Sequence, residues 1–433
     1  MRSLYLRFLL NLIGSISLFC ASIVVEASSL TDLPKWGIQE IRSSQVNFND
    51  TKSSDNKSEY KGELSNVSLI INADKISFSI IDFKQSKIIH RFRSPHILQN
   101  DPKFSPNRRF AYLTSSDGWI SKFDMLSLKV ASTVRVGIQT RNLAVSADGR
   151  FLVAANEQPK SLVILNASNL EPIKLIEIPS LNGKSSRVGS IFTADKRQSF
   201  IVALKDQGEI WEIFYKDNPL PVYNGLMHDF RLGEGLAKQQ GRFPISQIKV
   251  NGCSDECLDN LVFYPASDSL IISNGKQLQV LQMDARRKIA EMDLADNPNL
   301  GFSVIWNENS IPLLATANLN KSGITIIDMN NWKIRQSIKT VGIVFMLKEH
   351  KNSKYILAAT STRPDKDILH VINKDSLMIE QTLEAAAGNS IIDVKFDEEG
   401  NRIIVITGNN NREIVVYETK AMSEIKRFPV TSH

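Results

Sequence analysis

Short apolar segments alternate with polar turns along almost the whole chain after residue 62. The alternation is clearest in the stretches FSPNRRFAYLTSSDGWISKFDMLSLKVASTVRV (104–136), VSADGRFLVAANEQPKSLVILNASNLEPIKLIEI (145–178) and FDEEGNRIIVITGNNNREIVVYETKAMSEIKRF (396–428). Each stretch has an opening apolar residue, a polar turn, an apolar strand, a second turn, another apolar strand and a last strand, and the unit predicts one antiparallel four-stranded sheet. Because such a sheet cannot bury both faces alone, the copies are expected to stack around an axis as a β-propeller.

The repeat predicts an all-β fold with eight blades, and a seven-bladed ring with an extra N-terminal hairpin is the alternative. A degenerate first unit covers 66–93, and apolar residues open the later blades at Phe104, Val145, Phe192, Phe263, Ile305, Leu347 and Phe396. The longest interval holds an insertion at 217–258, and long insertions in a regular repeat belong to loops. We expect the strand near 425–430 to pair with the first blade and close the ring.

The N-terminus has the pattern of a secretory signal peptide. Arg2 and Arg7 form a basic region, residues 8–25 are nearly all apolar or small, and Val25-Glu26-Ala27 offers a cleavage site. Residues 1–27 are therefore predicted to be removed on export. An uncleaved membrane anchor is the alternative, because the apolar run is long enough to span a bilayer.

Beyond residue 27 the chain has two predicted parts, and the predicted export favours a disulfide between its two remaining cysteines. Residues 28–62 read as a leader and flexible linker, and 63–433 as the propeller. In an exported protein Cys253 and Cys257 are expected to form a short-range disulfide, with a free pair as the alternative. The chain has no CxxCH motif, so no covalent c-type haem is expected.

The formal net charge of +6 is mild for a chain of this length. No basic run is interleaved with aromatic residues, which argues against a nucleic-acid partner. A mild positive charge suits an anionic ligand held by a few arginines.

Four residues are candidates for a binding site. His96 lies in RSPHILQNDPKFSP at a blade junction facing the central channel, where a neutral imidazole is a suitable metal or haem-iron ligand, although a surface loop histidine is the alternative. Arg141 and Arg187 hold equivalent places in adjacent blades, where guanidinium groups suit carboxylates, or else form ordinary salt bridges. His228 lies in GLMHDFRLGEG within the long insertion, and a flexible surface loop is the other interpretation.

The order HILQNDPKFSPNRRFAYLTSSDGWISKFDMLS, QTRNLAVSADGRFLVAAN, SRVGSIF, FIVALKDQGEIWEIFYKDNP and LMHDF resembles the d1 domain of cytochrome cd1 nitrite reductase and the haem d1 biosynthesis proteins NirF and NirN. The resemblance implies an eight-bladed propeller that holds haem d1 or a d1 precursor in its channel. It implies that His96 ligates the iron and that Arg141 and Arg187 bind the carboxylates of the macrocycle. It places His228 on the distal side of the pocket, as the candidate catalytic residue.

Departures from the reductase narrow the expected function. The reductase carries a second distal histidine in a HPGRG-type segment, whereas NPNLGFSVIW (297–306) has no histidine or arginine. Reduction of nitrite needs both proton donors and delivered electrons. This chain lacks the second distal histidine, and it has no CxxCH motif for a c-type haem that would deliver electrons. The resemblance therefore favours a NirF-like periplasmic protein that binds a d1 precursor and assists oxidation of its side chains. Other haem d1 assembly proteins or nitrite reductase are its expected partners.

Two further functions stand as alternatives to haem d1 assembly. One is a non-catalytic interaction propeller of the YVTN type, which has the shape without the tetrapyrrole pocket. The other, less favoured, is a nitrite reductase that uses an external electron donor.

Overall fold

The structure is a computed structural model that describes residues 36–48, 60–72, 74–179, 185–219, 222–224, 237–239, 241–253, 257–362, 366–384, 389–409 and 412–430. The predicted signal peptide 1–27 lies outside these ranges, as does much of the predicted leader and linker 28–62. Within the described ranges, no helix has both the length and the apolar character needed to cross a bilayer.

The fold is an eight-bladed β-propeller, as the repeat predicted. Blade 1 is the three-stranded sheet β2–β3–β4. A helix α1 (Ile38–Ser43) precedes the ring, and the short β1 adds to the outer edge of blade 2. The strands of the first four blades are β1 (Val46–Asn47), β2 (Val67–Ile71), β3 (Ser77–Asp82), β4 (Lys87–Arg93), β5 (Leu98–Phe104), β6 (Phe110–Ser115), β7 (Trp119–Asp124), β8 (Lys129–Arg135), β9 (Gln139–Val145), β10 (Phe151–Gln158), β11 (Ser161–Asn166), β12 (Pro172–Glu177), β13 (Val188–Ala194), β14 (Ser199–Leu204), β15 (Glu209–Phe214) and β18 (Ile245–Lys249).

The long insertion contributes a separate hairpin, β16 (Val222–Asn224) with β17 (Ala237–Gln239), between the third and fourth strands of blade 4. Blades 5 to 8 are each four-stranded. Their strands are β19 (Leu261–Tyr264), β20 (Ser269–Asn274), β21 (Gln277–Gln282), β22 (Arg287–Asp293), β23 (Pro298–Glu308), β24 (Ile311–Asn318), β25 (Ile324–Asp328), β26 (Lys333–Ile338), β27 (Ile343–Glu349), β28 (Tyr355–Thr362), β29 (Lys366–Asn373), β30 (Ile379–Glu384), β31 (Asn389–Phe396), β32 (Arg402–Asn409), β33 (Glu413–Glu418) and β34 (Ser423–Pro429).

Apolar packing between neighbouring blades supplies the core. The middle strands β10 and β14 are buried on both faces over most of their length, because a blade lies on either side of each sheet. One apolar cluster fills each junction between successive blades, such as the cluster of Phe151, Val153, Phe200 and Trp211 between blades 3 and 4. Burial on both faces explains why these strands read as continuous apolar runs in the sequence.

The prediction that the strand near 425–430 pairs with the first blade is wrong. That segment is β34, the outer strand of blade 8, and it pairs with β33. Blades 8 and 1 meet instead through an apolar cluster that includes Ile70, Ile81, Ile406 and Ile414. In the described ranges β2 pairs with β3 alone, so the ring closes here by side-chain packing rather than by strand pairing.

The blade topology gathers particular loops at one end of the channel. In blades 2 to 8 the first strand lies innermost, and each such strand follows a junction with the preceding blade. Because the strands within a blade alternate in direction, the turn between its second and third strands returns to the same end. We call this end the mouth; it carries the blade junctions and the turns between second and third strands.

Candidate functional site

His96 lies at the mouth, in the junction between β4 and β5. Its Nδ1 is 2.8 Å from Asp117 Oδ2, and its backbone N–H donates to Ser94 Oγ at 3.0 Å. The imidazole stacks on the Trp119 ring with centroids 5.0 Å apart and an interplanar angle of 19°. With a carboxylate at Nδ1, the neutral imidazole keeps its proton there and its lone pair on Nε2. That tautomer is the one a metal-binding histidine requires.

Asp117, the partner of His96, belongs to the turn between β6 and β7. Its Oδ1 accepts a hydrogen bond from Ser115 Oγ at 2.6 Å. Burial raises the pKa of the carboxyl, but the hydrogen bonds from Ser115 and His96 outweigh it and hold the pKa below its ordinary value. Asp117 is therefore an ionised acceptor at neutral pH.

Arg187 and Arg141 also lie at the mouth, in blades 4 and 3. The Arg187 guanidinium donates through Nε and Nη2 to Asp206, at 2.9 Å to Oδ2 and 2.6 Å to Oδ1. These hydrogen bonds and the charge of Asp206 raise the pKa of Arg187. The Arg187 side chain is 45% exposed, and Nη1 takes no part in the bonds to Asp206, so Nη1 remains a donor for a ligand carboxylate.

Arg141 is the more available of the two arginines. Its side chain is 61% exposed, and its Nη1 comes no closer than 3.7 Å to Glu157 Oε2. Its backbone carbonyl accepts a hydrogen bond from Asn100 Nδ2, which ties β9 to the strand that follows His96. Glu157 also acts electrostatically on Arg187, so both arginines share one charged region of the mouth.

A cavity of about 890 Å³ lies in the channel, and the strand that begins two residues after His96 forms part of its wall, although His96 itself does not line it. Its wall includes Leu98 and Gln99 from blade 2, together with Phe302, Met346 and Ile392 from blades 6, 7 and 8. Ligand pockets in proteins are typically about 300–1,000 Å³ and are mostly apolar with a few polar groups. The cavity thus has the size expected for a large ligand, and its lining is mixed, with charged side chains such as Lys348, Lys395 and Arg412 beside the apolar ones.

Exposed apolar side chains also lie at the mouth, mostly in blades 6 to 8. They stand in blade junctions, on innermost strands or, for Leu319, in a turn between second and third strands, where solvent-exposed apolar groups suggest a ligand face. The residues are Ile97, Phe302, Leu319, Val341, Ile343 and Ile392. None was identified from the sequence, although apolar residues in otherwise polar junctions, as in KTVGIVF (339–345), were the available signal.

The segment NPNLGFSVIW forms the first part of β23, and it carries a bulge. The register of β23 against β24 shifts between Asn299 and Val304. Within the bulge Leu300 is buried, whereas Phe302 is 45% exposed and lines the cavity. An apolar ring therefore lines the cavity from the segment that the resemblance matches to the one carrying the second distal histidine of the reductase.

Two predicted features cannot be placed. His228 lies outside the described residues, so its position relative to His96 stays a prediction. Cys253 is disulfide-bonded, but the side chain of Cys257 lies outside the described residues and the pairing of the two stays a prediction. Among the described residues, no group of three or more His, Cys, Asp or Glu side chains is arranged to hold a metal ion.

Comparison with known families agrees with the fold. Residues 62–433 match the model of the cytochrome D1 heme domain family. The chain belongs to this family, as the resemblance at the sequence level predicted.

Individual relatives refine that assignment. The chain is 30% identical over 399 residues to dihydro-heme d1 dehydrogenase of Pseudomonas aeruginosa, covering 92% of this chain and 76% of the relative. It is 20% identical to Protein NirF of the same organism and 21% identical to Protein NirF of Stutzerimonas stutzeri, each over 76% of this chain and 79% or 80% of the relative. The solved structure of dihydro-heme d1 dehydrogenase NirN in complex with DHE superposes with a TM-score of 0.79 at 30% identity, covering 92% of this chain and 80% of that chain.

These comparisons correct one part of the expectation from sequence. The d1 family was predicted, and it is confirmed. Within the family, however, the chain is more similar to the NirN dehydrogenase than to the NirF proteins. The physical reason for the misplacement is that the blade pattern of apolar strands and polar turns is common to all of them.

Proposed function

We propose that this chain is a NirN-like propeller that binds a d1-type tetrapyrrole at the mouth and acts late in haem d1 formation. The observation that carries the proposal is the Asp117–His96 pair at 2.8 Å, which prepares Nε2 as an iron ligand beside a cavity of suitable size. The similarity to a dihydro-heme d1 dehydrogenase supports the choice of ligand. Export to the periplasm, predicted from residues 1–27, belongs to the same proposal.

The residues at the mouth fit an amphipathic macrocycle. Arg141 and Arg187 stand in blades 3 and 4, where their guanidinium groups can pair with the carboxylates of the ligand. Apolar side chains such as Phe302 and Ile343 come from blades 6 and 7, across the channel, and suit the faces and apolar edge of the ring. We therefore propose that the carboxylate edge of the ligand is held over blades 3 and 4.

Oxidation of a dihydro form releases two protons and two electrons from a side chain of the macrocycle, whose conjugated ring supplies the electronic pathway. The contribution of the chain is to fix the macrocycle through His96, to neutralise its carboxylates and to exclude water with the apolar residues. His228 is the proposed proton acceptor. The electrons need an external acceptor, for which another haem d1 assembly protein or nitrite reductase is the proposed partner.

The experiment is an anaerobic absorption titration of the exported protein with dihydro-haem d1, followed by mass analysis of the macrocycle after an electron acceptor is added. Saturable binding with one macrocycle per chain is expected, followed by loss of two hydrogen atoms. Binding without oxidation would contradict the dehydrogenase step and leave a carrier of the precursor. Absence of binding would contradict the proposal and favour the interaction module.

A further inference from the structure

We propose that Asp117 is the positioning residue that makes His96 an iron ligand, by keeping the imidazole proton on Nδ1 and the lone pair on Nε2. The inference rests on the proposed function, because it concerns the same site. It names a residue, and a turn of blade 2, for which neither the sequence motifs nor the relatives supply a role.

The carboxylate of Asp117 is fixed at both oxygens. Oδ2 is 2.8 Å from His96 Nδ1, and Oδ1 accepts the hydroxyl of Ser115 at 2.6 Å. A carboxylate accepts hydrogen bonds and does not donate them, so the shared proton belongs to Nδ1. Each oxygen thus has a separate partner, and the acceptor directed at His96 is not free to turn away.

The rest of the turn fixes the plane of the imidazole. Trp119 stacks on the ring of His96, and its backbone N–H donates to Ser115 Oγ at 3.0 Å. The backbone carbonyl of Asp117 accepts a hydrogen bond from Arg135 Nε at 3.0 Å. The turn therefore holds His96 through its face and through one edge, and only the Nε2 edge is left for a ligand.

Two consequences follow for iron binding. A histidine whose Nδ1–H donates to a carboxylate is oriented in one tautomer, and its Nε2 becomes a stronger electron donor. Removal of such a partner typically weakens metal binding by roughly 10- to 100-fold. Asp117 thus affects both the affinity for an iron tetrapyrrole and the electronic state of the bound iron.

The substitution Asp117→Asn separates this role from simple packing. Since Ser115 Oγ donates to Oδ1, an amide at position 117 keeps its oxygen towards Ser115 and directs its NH₂ group at His96 Nδ1. That arrangement places the imidazole proton on Nε2 and removes the lone pair the iron needs. Asp117→Ala leaves the imidazole free to take either tautomer, so the nearly isosteric Asn variant is expected to be the more severe.

Nitrogen NMR of the ligand-free protein with ¹⁵N-labelled histidine tests the tautomer directly, with the His96 signal assigned by its loss in His96→Ala. At about pH 8, where an ordinary imidazole is neutral, wild type is expected to show a protonated Nδ1 and an unprotonated Nε2. Asp117→Asn is expected to show the reverse. A wild-type His96 protonated on Nε2 would overturn the inference whether or not the protein binds a tetrapyrrole.

Titration with ferric haem d1 gives the second readout. Asp117→Ala is expected to weaken binding about 10- to 100-fold, with a higher reduction potential for the iron that still binds, and Asp117→Asn is expected to weaken binding further. The matched control is Asp148→Asn, because Ser146 and Asp148 form the same hydrogen-bonded pair in a turn at the other end of blade 3. The opposite order, with Asn milder than Ala, would show a packing role and overturn the inference. Failure of wild type to bind would instead contradict the proposed function.

Discussion

Arg187 stands at the mouth already paired with Asp206, whereas Arg141 approaches Glu157 no closer than 3.7 Å. An arginine that shares its charge with a protein carboxylate has less attraction left for a ligand. Both guanidinium groups are well exposed, so solvent moderates their contributions. The two arginines are therefore expected to contribute unequally to the binding of a macrocycle with several carboxylates.

Arg141→Gln is expected to lower the affinity for haem d1 about 10-fold, and Arg187→Gln about 3-fold, because each removes a charge-assisted hydrogen bond to a carboxylate. Absorption titrations measure both losses. Arg427→Gln is the matched control, because Arg427 lies on the outer strand of blade 8, where it pairs with Glu413 and Glu424. If the losses persist with the methyl ester of the macrocycle, the arginines do not bind its carboxylates.

The structure places the candidate residues His96, Arg141 and Arg187 at the mouth, and their roles as ligands stay predictions. His96, Arg141 and Arg187 were predictable, because the repeat fixes which end of a blade each one occupies. Asp117 and Trp119 were not, since their contacts with His96 depend on how the junction before blade 2 folds over a turn some twenty residues further along. The conformation of that turn is not encoded in the apolar pattern.

At the scale of elements, the turn between β6 and β7 depends on one glycine. Gly118 has φ +90°, and a Cβ built there would lie 2.0 Å from the carbonyl oxygen of Gly137 in the next junction. Such a φ disfavours any side chain, and the close backbone approach leaves no room for one. The same turn holds Asp117 against His96, so a change in its conformation is expected to affect both the stability of the protein and ligand binding.

Gly118→Ala is expected to lower the free energy of unfolding by about 2–4 kcal/mol, from the strained φ and the backbone clash. It should also weaken haem d1 binding, because Asp117 is displaced. Gly275→Ala is the control, since Gly275 occupies the corresponding turn of blade 5 with φ +63° and nothing within 4 Å of its Cβ position. Urea denaturation is expected to show a loss of about 1 kcal/mol for the control. Equal losses of unfolding free energy in the two variants would contradict the claim that a clash with Gly137 destabilises Gly118→Ala.

The sequence predicts the strands correctly, but it does not predict how the ring closes. Alternating turns and apolar runs predict the blades, because burial on both faces requires continuous apolar segments. The pairing of the last strand was mispredicted, since both β33 and the open edge of β2 offer backbone partners to β34. The choice between such partners depends on packing between blades 8 and 1, which lie at opposite ends of the described chain.

At the scale of the whole molecule, an ion pair joins the two blades on either side of blade 1. Lys395 Nζ of blade 8 is 3.4 Å from Asp101 Oδ1 of blade 2 and 3.2 Å from Asp393 Oδ2. Burial raises the pKa of Asp101, but the charges of Lys395 and Lys348 outweigh it and hold the pKa below its ordinary value. The pair thus links blades that are remote in sequence, next to the cavity.

Asp101→Asn is expected to lower the free energy of unfolding by only about 1–2 kcal/mol at neutral pH, because the Asp101 side chain is 63% exposed and solvent weakens the ion pair. Because its pKa is depressed in the folded state, its contribution is complete above the unfolded value of about 3.9 and is lost as pH falls through the folded value. Denaturation at several pH values measures this, with Glu291→Gln, which removes the exposed pair with Lys288, as control. A difference that persists at the lowest pH would contradict the ion-pair account.

The central claim is that His96 binds the iron of a d1 tetrapyrrole, and an absorption titration with haem d1 tests it most directly. Three proteins are compared: wild type, His96→Ala, and His350→Ala, which removes a histidine stacked on Phe396 at the other end of the channel. Wild type and His350→Ala are expected to give the same saturable spectral shift, and His96→Ala to lose or alter it. An unchanged shift in His96→Ala, or no shift in any of the three, would contradict the account.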